Sequence, residues 1–124
     1  LQRDGQPLLQ DAVVRDQLVQ LMMEEKALGL GDRRLAINEL NTDYPGSLPL
    51  SSKLRLSEYQ RRMRLYGLEL QGGAGGLYVG DEQAIAGGFW QRAYFNNFAT
   101  TIGGGTSQIQ SNIIGEHVLG LPKS

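Results

Sequence analysis

The chain has 124 residues, 40% of them hydrophobic and 20% charged, with a net charge of −1 and no cysteine. That length holds one domain with a single core, and the missing Cys excludes disulfides, thiolate zinc sites and iron–sulfur clusters, in agreement with a reducing compartment. The near-neutral charge argues against a dedicated nucleic-acid binder, whose domain pI is usually above about 9; no apolar run approaches the ~20 residues of a membrane span.

The amino terminus Leu1-Gln2-Arg3-Asp4-Gly5 has neither the basic nor the apolar region of a signal peptide, and it lacks an initiator Met, as a piece of a longer chain would. Pro7, followed by Leu8, Leu9 and Asp11, reads as a helix start with Pro preset for the first turn. Val14, Leu18, Leu21, Met22 and Leu28 then recur at three- and four-residue spacing, one face of an α-helix. Gly29 and Gly31 each cost ~1 kcal/mol relative to Ala, yet Leu35, Ile37 and Leu40 continue the pattern, so one helix is expected to about Leu40, weakened or bent near Gly31. Asn41 to Gly46 is a loop by composition.

A second helix is predicted over Leu50–Leu70, with Ser51 and Ser52 as caps. Leu50, Leu54, Leu65 and Leu68 form one stripe, and Tyr59, Met63, Tyr66 and Leu70 another, which implies a broad buried face and more than one neighbour. It ends at Gly72-Gly73, suited to a left-handed cap. The third helix is expected from Asp81, its cap, to Phe98, with Ile85, Phe89, Trp90, Tyr94 and Phe98 as apolar positions. The fourth follows Gly103-Gly104-Gly105 and runs to Leu119, with Ser107 and Gln110 at capping-box spacing or Thr106 as cap, and Gly120 and Pro122 as the stop. Its core face is Ile109, Ile113, Ile114, Val118 and Leu119. No period-two alternation persists, so the class is all-α, a helical bundle that leaves apolar surface for another chain or a missing part of its own.

Glycine supplies 17 residues, about twice the usual ~7%, gathered in clusters. Gly103 to Gly105 precede a helix, where backbone amides and the helix dipole favour a phosphate; Thr106 and Gln108 add a hydroxyl and an amide at the same rim. The same pattern also serves a plain turn with an N-cap. It is not a P-loop, because no Lys follows the glycines, and no strand precedes them as in a dinucleotide fold. Gly72, Gly73, Gly75 and Gly76 are either a helix stop and reversal or a second backbone surface for another molecule. Lys53, Arg55, Arg61, Arg62 and Arg64 against Glu58 read as a solvated or intersubunit helix face. His117, the one histidine, stands beside Glu116 with no partner cluster for a metal or a triad.

The run Gly104-Gly105-Thr106-Ser107-Gln108-Ile109-Gln110-Ser111-Asn112-Ile113-Ile114-Gly115-Glu116-His117-Val118-Leu119-Gly120-Leu121-Pro122 resembles the carboxy-terminal signature of acyl-CoA dehydrogenases. Upstream, Ser52-Lys53-Leu54 through Glu69-Leu70-Gln71-Gly72-Gly73-Ala74-Gly75 is similar to the family's penultimate conserved stretch. Trp90-Gln91-Arg92-Ala93-Tyr94 together with Ile102-Gly103-Gly104-Gly105-Thr106 most resembles actinobacterial members. The resemblance implies the C-terminal four-helix-bundle domain of a tetrameric FAD enzyme, here without the first helix of that bundle. It also implies dehydrogenation of an acyl-CoA to the trans-2-enoyl-CoA, electron-transfer flavoprotein as acceptor, a dimer-of-dimers oligomer and a bacterial cytoplasm.

By motif position, Thr106 and Gln108, with Gly105 beside them, would contact the ribityl–diphosphate region of FAD in the same subunit. Glu69, Gly72 and Gly73 would line the adenosine diphosphate portion belonging to a neighbouring subunit. Two positions depart from the family. Many members carry Gln where this chain has Glu69, a carboxylate near a diphosphate. Many place the catalytic Glu where this chain has Gly104, which cannot take a proton, so no catalytic residue is assigned within the chain. The base then lies on the first bundle helix, or the subunit is a non-catalytic, FAD-holding partner in a heteromeric enzyme. Glu116 is no substitute, being about 18 Å from Gly104 along the helix axis. A stand-alone helical interaction module is the alternative from another class.

Overall fold

The computed structural model describes residues 1–40 and 47–123; the expected loop from Asn41 to Gly46 lies outside them. The chain opens with a two-residue antiparallel pair, β1 (Gln2–Arg3) and β2 (Gln6–Pro7), with Gln2 opposite Pro7 and Arg3 opposite Gln6. Asp4 and Gly5 between them both have positive φ, 52° and 77°, as a two-residue hairpin turn requires, and Asp-Gly is a favoured pair for it. Pro7 is therefore in a strand, with φ −57° and ψ 132°, and not in the first turn of a helix. After a 3-10 turn at Leu8–Gln10 the first helix, α1, covers Ala12–Leu35. Its cap is Asp11, whose Oδ1 accepts from the Val13 amide at 2.8 Å and the Val14 amide at 3.4 Å.

The helix runs unbroken through Gly29 and Gly31 but stops five residues short of Leu40. The last turn tightens into shorter bonds, Ala36 N–H to Arg33 O and Ile37 N–H to Arg34 O. Asn38–Leu40 is a separate 3-10 turn, tied back by the Arg34 guanidinium on the Leu40 carbonyl at 3.2 and 3.3 Å.

The second helix, α2, covers Ser47–Glu69, so Ser51 and Ser52 lie inside it and are not caps. Of its predicted stripes, Tyr59 is buried and Leu54, Met63, Tyr66, Leu68 and Leu70 are half-buried, while Leu65 is exposed; Leu50 lies outside the described side chains. As the two stripes implied, α2 is the centre of the molecule and packs against all three other helices. It is antiparallel to α1: the Tyr66 hydroxyl donates to Val14 O at 3.4 Å, and Arg62 pairs with Glu24 further along.

The third helix, α3, covers Phe89–Ile102 and is antiparallel to α2, with Arg64 reaching Asn97 and Gly67 lying under Trp90. The expected start at Asp81 is wrong. Ala86, Gly87 and Gly88 have φ of 52°, 59° and 75° in succession, and a right-handed helix cannot continue through three left-handed residues. Asp81 instead caps a local turn, accepting from the Gln83 amide at 2.8 Å. Gly88 is required where it stands, since a Cβ would come 2.7 Å from the Val79 nitrogen.

The fourth helix, α4, covers Ser107–Ile113 and passes into one π-helical turn, Ile114–Val118, before Gly120 at φ 66° ends it. Thr106 is the cap, its Oγ1 accepting from the Ile109 amide at 3.3 Å. No capping box closes on Ser107, because the Gln110 side chain turns the other way, to Gly104 O.

The described fold is all-α apart from the short hairpin. Its buried apolar side chains are Leu8, Val14, Leu28 and Tyr59, whereas Met22, Leu30, Phe89, Phe98, Ile109 and Leu119 are exposed. Several positions expected in the core of α3 and α4 thus face outward. In their place Gln91, Asn97 and Gln110 are the buried residues of those two helices. The uncovered apolar surface foreseen from the sequence is present. Among the described residues, no helix is long and apolar enough to cross a membrane.

Candidate functional site

Two glycine-bearing edges stand out, one at each part of α2. The first follows its C-terminus. Glu69 is the last residue of α2 and is exposed; Gly72, at φ 57°, and Gly73 are exposed as well, in a 3-10 segment covering Gly72–Gly76. A Cβ at Gly72, Gly73 or Gly76 would meet nothing within 4 Å, so this backbone faces open space. From beneath it is held by hydrogen bonds. The buried Gln91 amide nitrogen donates to Ala74 O at 3.3 Å, Gly75 O at 3.2 Å and Gln71 Oε1 at 3.2 Å, and Gln71 in turn donates to Gly67 O at 3.0 Å. Gly75 is pressed onto the end of α2, where a Cβ would lie 2.8 Å from the Leu68 carbonyl oxygen. Two buried amides thus carry a strip of side-chain-free backbone.

The second edge is the turn from α3 into α4. Gly104 and Gly105 have φ of 70° and 99°, values open to glycine at little cost. The Gly104 carbonyl accepts from Gln110 Nε2 at 2.6 Å and the Gly105 carbonyl from the Lys53 ammonium of α2. Ser107, the first residue of α4, donates its hydroxyl to Glu58 Oε1. Thr106 is half-buried and Gln108 exposed on the first turn. The Thr106 oxygen receives the capping bond, which leaves its hydroxyl proton free to donate outward. A Cβ at Gly104 would meet only Lys53 Cε, at 3.9 Å.

The two edges are separate. Glu58 and Glu69 on α2 are eleven residues apart, about 16 Å along the axis, so the chain does not gather Thr106, Gln108 and Gly105 with Glu69, Gly72 and Gly73 into one pocket. The basic run on α2 is divided: Arg55, Arg61 and Arg62 are exposed, as a solvated face implies, whereas Lys53 and Arg64 are half-buried and turned to partners. Lys53 holds Gly105, Arg61 lies 3.7 Å from Glu58, Arg62 pairs with Glu24, and Arg64 donates inward to Asn97 at 2.5 Å. Lys53, Glu58, Gln71 and Gln91 support the two edges, and although they fall within the stretches that resemble the family, nothing in the local sequence marks them as supports. Their roles depend on contacts many residues apart in the chain.

Two tyrosines on α2 are perturbed where it packs on α1. Burial, then the charges of Glu25 and Glu24, push the Tyr59 hydroxyl above its ordinary 10.0. Burial and Asp11 push Tyr66 the same way, partly offset by Arg3. Neither lies at a glycine edge, and His117 is exposed on the π-helical turn.

Residues 1–119 match the family described as acyl-CoA dehydrogenase, C-terminal domain. The chain is 34% identical over 113 residues, 91% of its length, to acyl-CoA dehydrogenase IpdE1 of Mycolicibacterium smegmatis. It is 59% identical over 34 residues, 27% of its length, to acyl-CoA dehydrogenase IpdE1 of Mycobacterium tuberculosis. The matched stretches make up 26% and 9% of those relatives, so the chain spans about a quarter of the first. No solved structure matches it. Its helices, its glycine edges and this similarity along nearly the whole sequence lead to one assignment: the chain belongs to the acyl-CoA dehydrogenase family.

Proposed function

We propose that the chain is the C-terminal helical part, without its first bundle helix, of an FAD-dependent enzyme that converts an acyl-CoA thioester to the 2-enoyl-CoA. FAD, when bound, accepts the hydride from Cβ. This chain's contribution is to hold the charged middle of the dinucleotide at its two glycine edges. At one, the free Thr106 hydroxyl proton and the exposed Gln108 amide are donors for ribityl and phosphate oxygens, and Gly105, where a Cβ would lie 2.9 Å from Gln110 Nε2, makes room for the amide that closes the turn beside them. At the other, Gly72 and Gly73 offer backbone with no side chain in the way, for the adenosine diphosphate portion bound by a neighbouring subunit. The observation that carries this reading is the pair of glycine-bearing turns, each hydrogen-bonded from beneath by a buried amide, with open space over Gly72 and Gly73. The separation of the edges along α2 supports their serving two different cofactor molecules. Glu69 at the first edge calls for a compensating cation or an outward-turned carboxylate.

Gly104 takes no proton, so the base that removes the Cα proton comes from outside these residues. The reading includes an oligomer arranged as a dimer of dimers, electron-transfer flavoprotein as the acceptor and a location in the bacterial cytoplasm. Gly104 also favours a second reading, in which the subunit holds FAD for a catalytic partner chain.

The test is acyl-CoA-dependent reduction of an artificial electron acceptor by the complete polypeptide that carries this domain. Formation of 2-enoyl-CoA supports the dehydrogenase. A flavin-loaded protein that stays inert until a different chain is added identifies the holding subunit. Turnover by the 124 residues alone would overturn the proposal, and a stable monomer with no flavin affinity would leave the helical interaction module.

A further inference from the structure

Resting on the flavin reading of the Thr106 edge, we infer that Lys53 and Glu58 of α2 are positioning residues for that edge. Two clamps reach it across some fifty residues of sequence. The Lys53 ammonium donates to the carbonyl of Gly105, the residue immediately before Thr106. Glu58 accepts from the Ser107 hydroxyl, immediately after it. The residue that would contact the cofactor is thus fastened on both sides to one helix, and Gln110 closes the loop from within through Gly104 O.

Such anchoring is needed here. Gly103, Gly104 and Gly105 lose more conformational freedom on ordering than any other residue type, and two of them stand at positive φ. Left to itself the segment would sample many arrangements, and cofactor binding would have to select one. A charge-assisted bond to a carbonyl is stronger than a neutral one. Lys53 therefore fixes the peptide before Thr106 in advance, with a positive charge one residue from the proposed diphosphate contact.

The test uses the flavoenzyme assembled from the complete polypeptide, with two readouts: amide exchange over residues 103–107 in the flavin-free protein, and the FAD dissociation constant. Lys53→Met is expected to speed exchange in that segment and weaken FAD binding about tenfold. Lys53→Arg, which keeps the charged donor, restores both, and Arg62→Met, the loss of a cation elsewhere on α2, changes neither. Should Lys53→Met fail to fold, Glu58→Ala releases the other side and is expected to weaken FAD about threefold. Unchanged FAD affinity in Lys53→Met or Glu58→Ala, while Thr106→Val binds more weakly, overturns the clamp and leaves the site. Unchanged affinity in Thr106→Val removes the site itself, and the clamp with it.

Discussion

Trp90 lies so close over Gly67 that a Cβ there would come within 2.4 Å of the indole Cε3. The two residues pack α2 directly on α3, and the missing side chain is what permits the contact. Gly67→Ala gains about 1 kcal/mol of helix propensity but must displace a half-buried ring, which costs about 1–3 kcal/mol. Urea unfolding is expected to show a net loss. Gly29→Ala, in a helix position with nothing within 4 Å, is expected to stabilise by about 1 kcal/mol. The opposite signs separate packing from propensity within one pair of variants.

Ala86 stands at φ 52° ahead of α3, a conformation that costs an L-residue about 1–2 kcal/mol. Ala86→Gly is expected to raise the urea midpoint, offset in part by the greater freedom of Gly in the unfolded chain. An unchanged or lower midpoint would mean that the turn is not strained.

The raised Tyr59 hydroxyl predicts a fall of stability on the alkaline side. The unfolded chain ionises this group near 10.0 while the folded one keeps its proton to higher pH. Its contribution is therefore complete below pH 10 and disappears as pH rises through the folded value. Tyr59→Phe is expected to flatten unfolding curves measured between pH 9 and pH 11 relative to the native chain, on the order of a pH unit either side of 10.

Gly104→Glu tests how open the second edge is. The left-handed backbone costs about 1–2 kcal/mol, yet the nearest atom to a new Cβ is Lys53 Cε at 3.9 Å. The variant is expected to fold with that modest loss, measured by urea unfolding. A loss beyond about 4 kcal/mol, the scale of severe core disruption, would mean that the loop is enclosed.

α2, which packs against three helices, and the part of α1 that lies on it were the most legible in the sequence. The stripes of α2 and the early part of α1 follow the helical repeat because apolar packing enforces it. The start of α3 was not legible, since Asp81 has the letters of a helix cap and Ala86 gives no sign of a left-handed backbone. The Asp4-Gly5 hairpin was not read from the sequence, because Pro7 beside it is equally at home in a helix start. The buried Gln91, Asn97 and Gln110 run against hydropathy, which assigns amides to the surface. At the proposed site, Thr106 and the glycines were visible as a motif. Lys53 and Glu58 were hidden inside a basic run, because their partners come from α4 and its preceding loop.

The most direct measurement is a crystal structure of the complete polypeptide with FAD. The account predicts Thr106 Oγ1 within about 3 Å of a ribityl or phosphate oxygen of one flavin, and the Gly72–Gly73 backbone against the diphosphate of a flavin held by a neighbouring subunit. Both glycine edges buried in protein contacts, with the cofactor bound elsewhere, would contradict it.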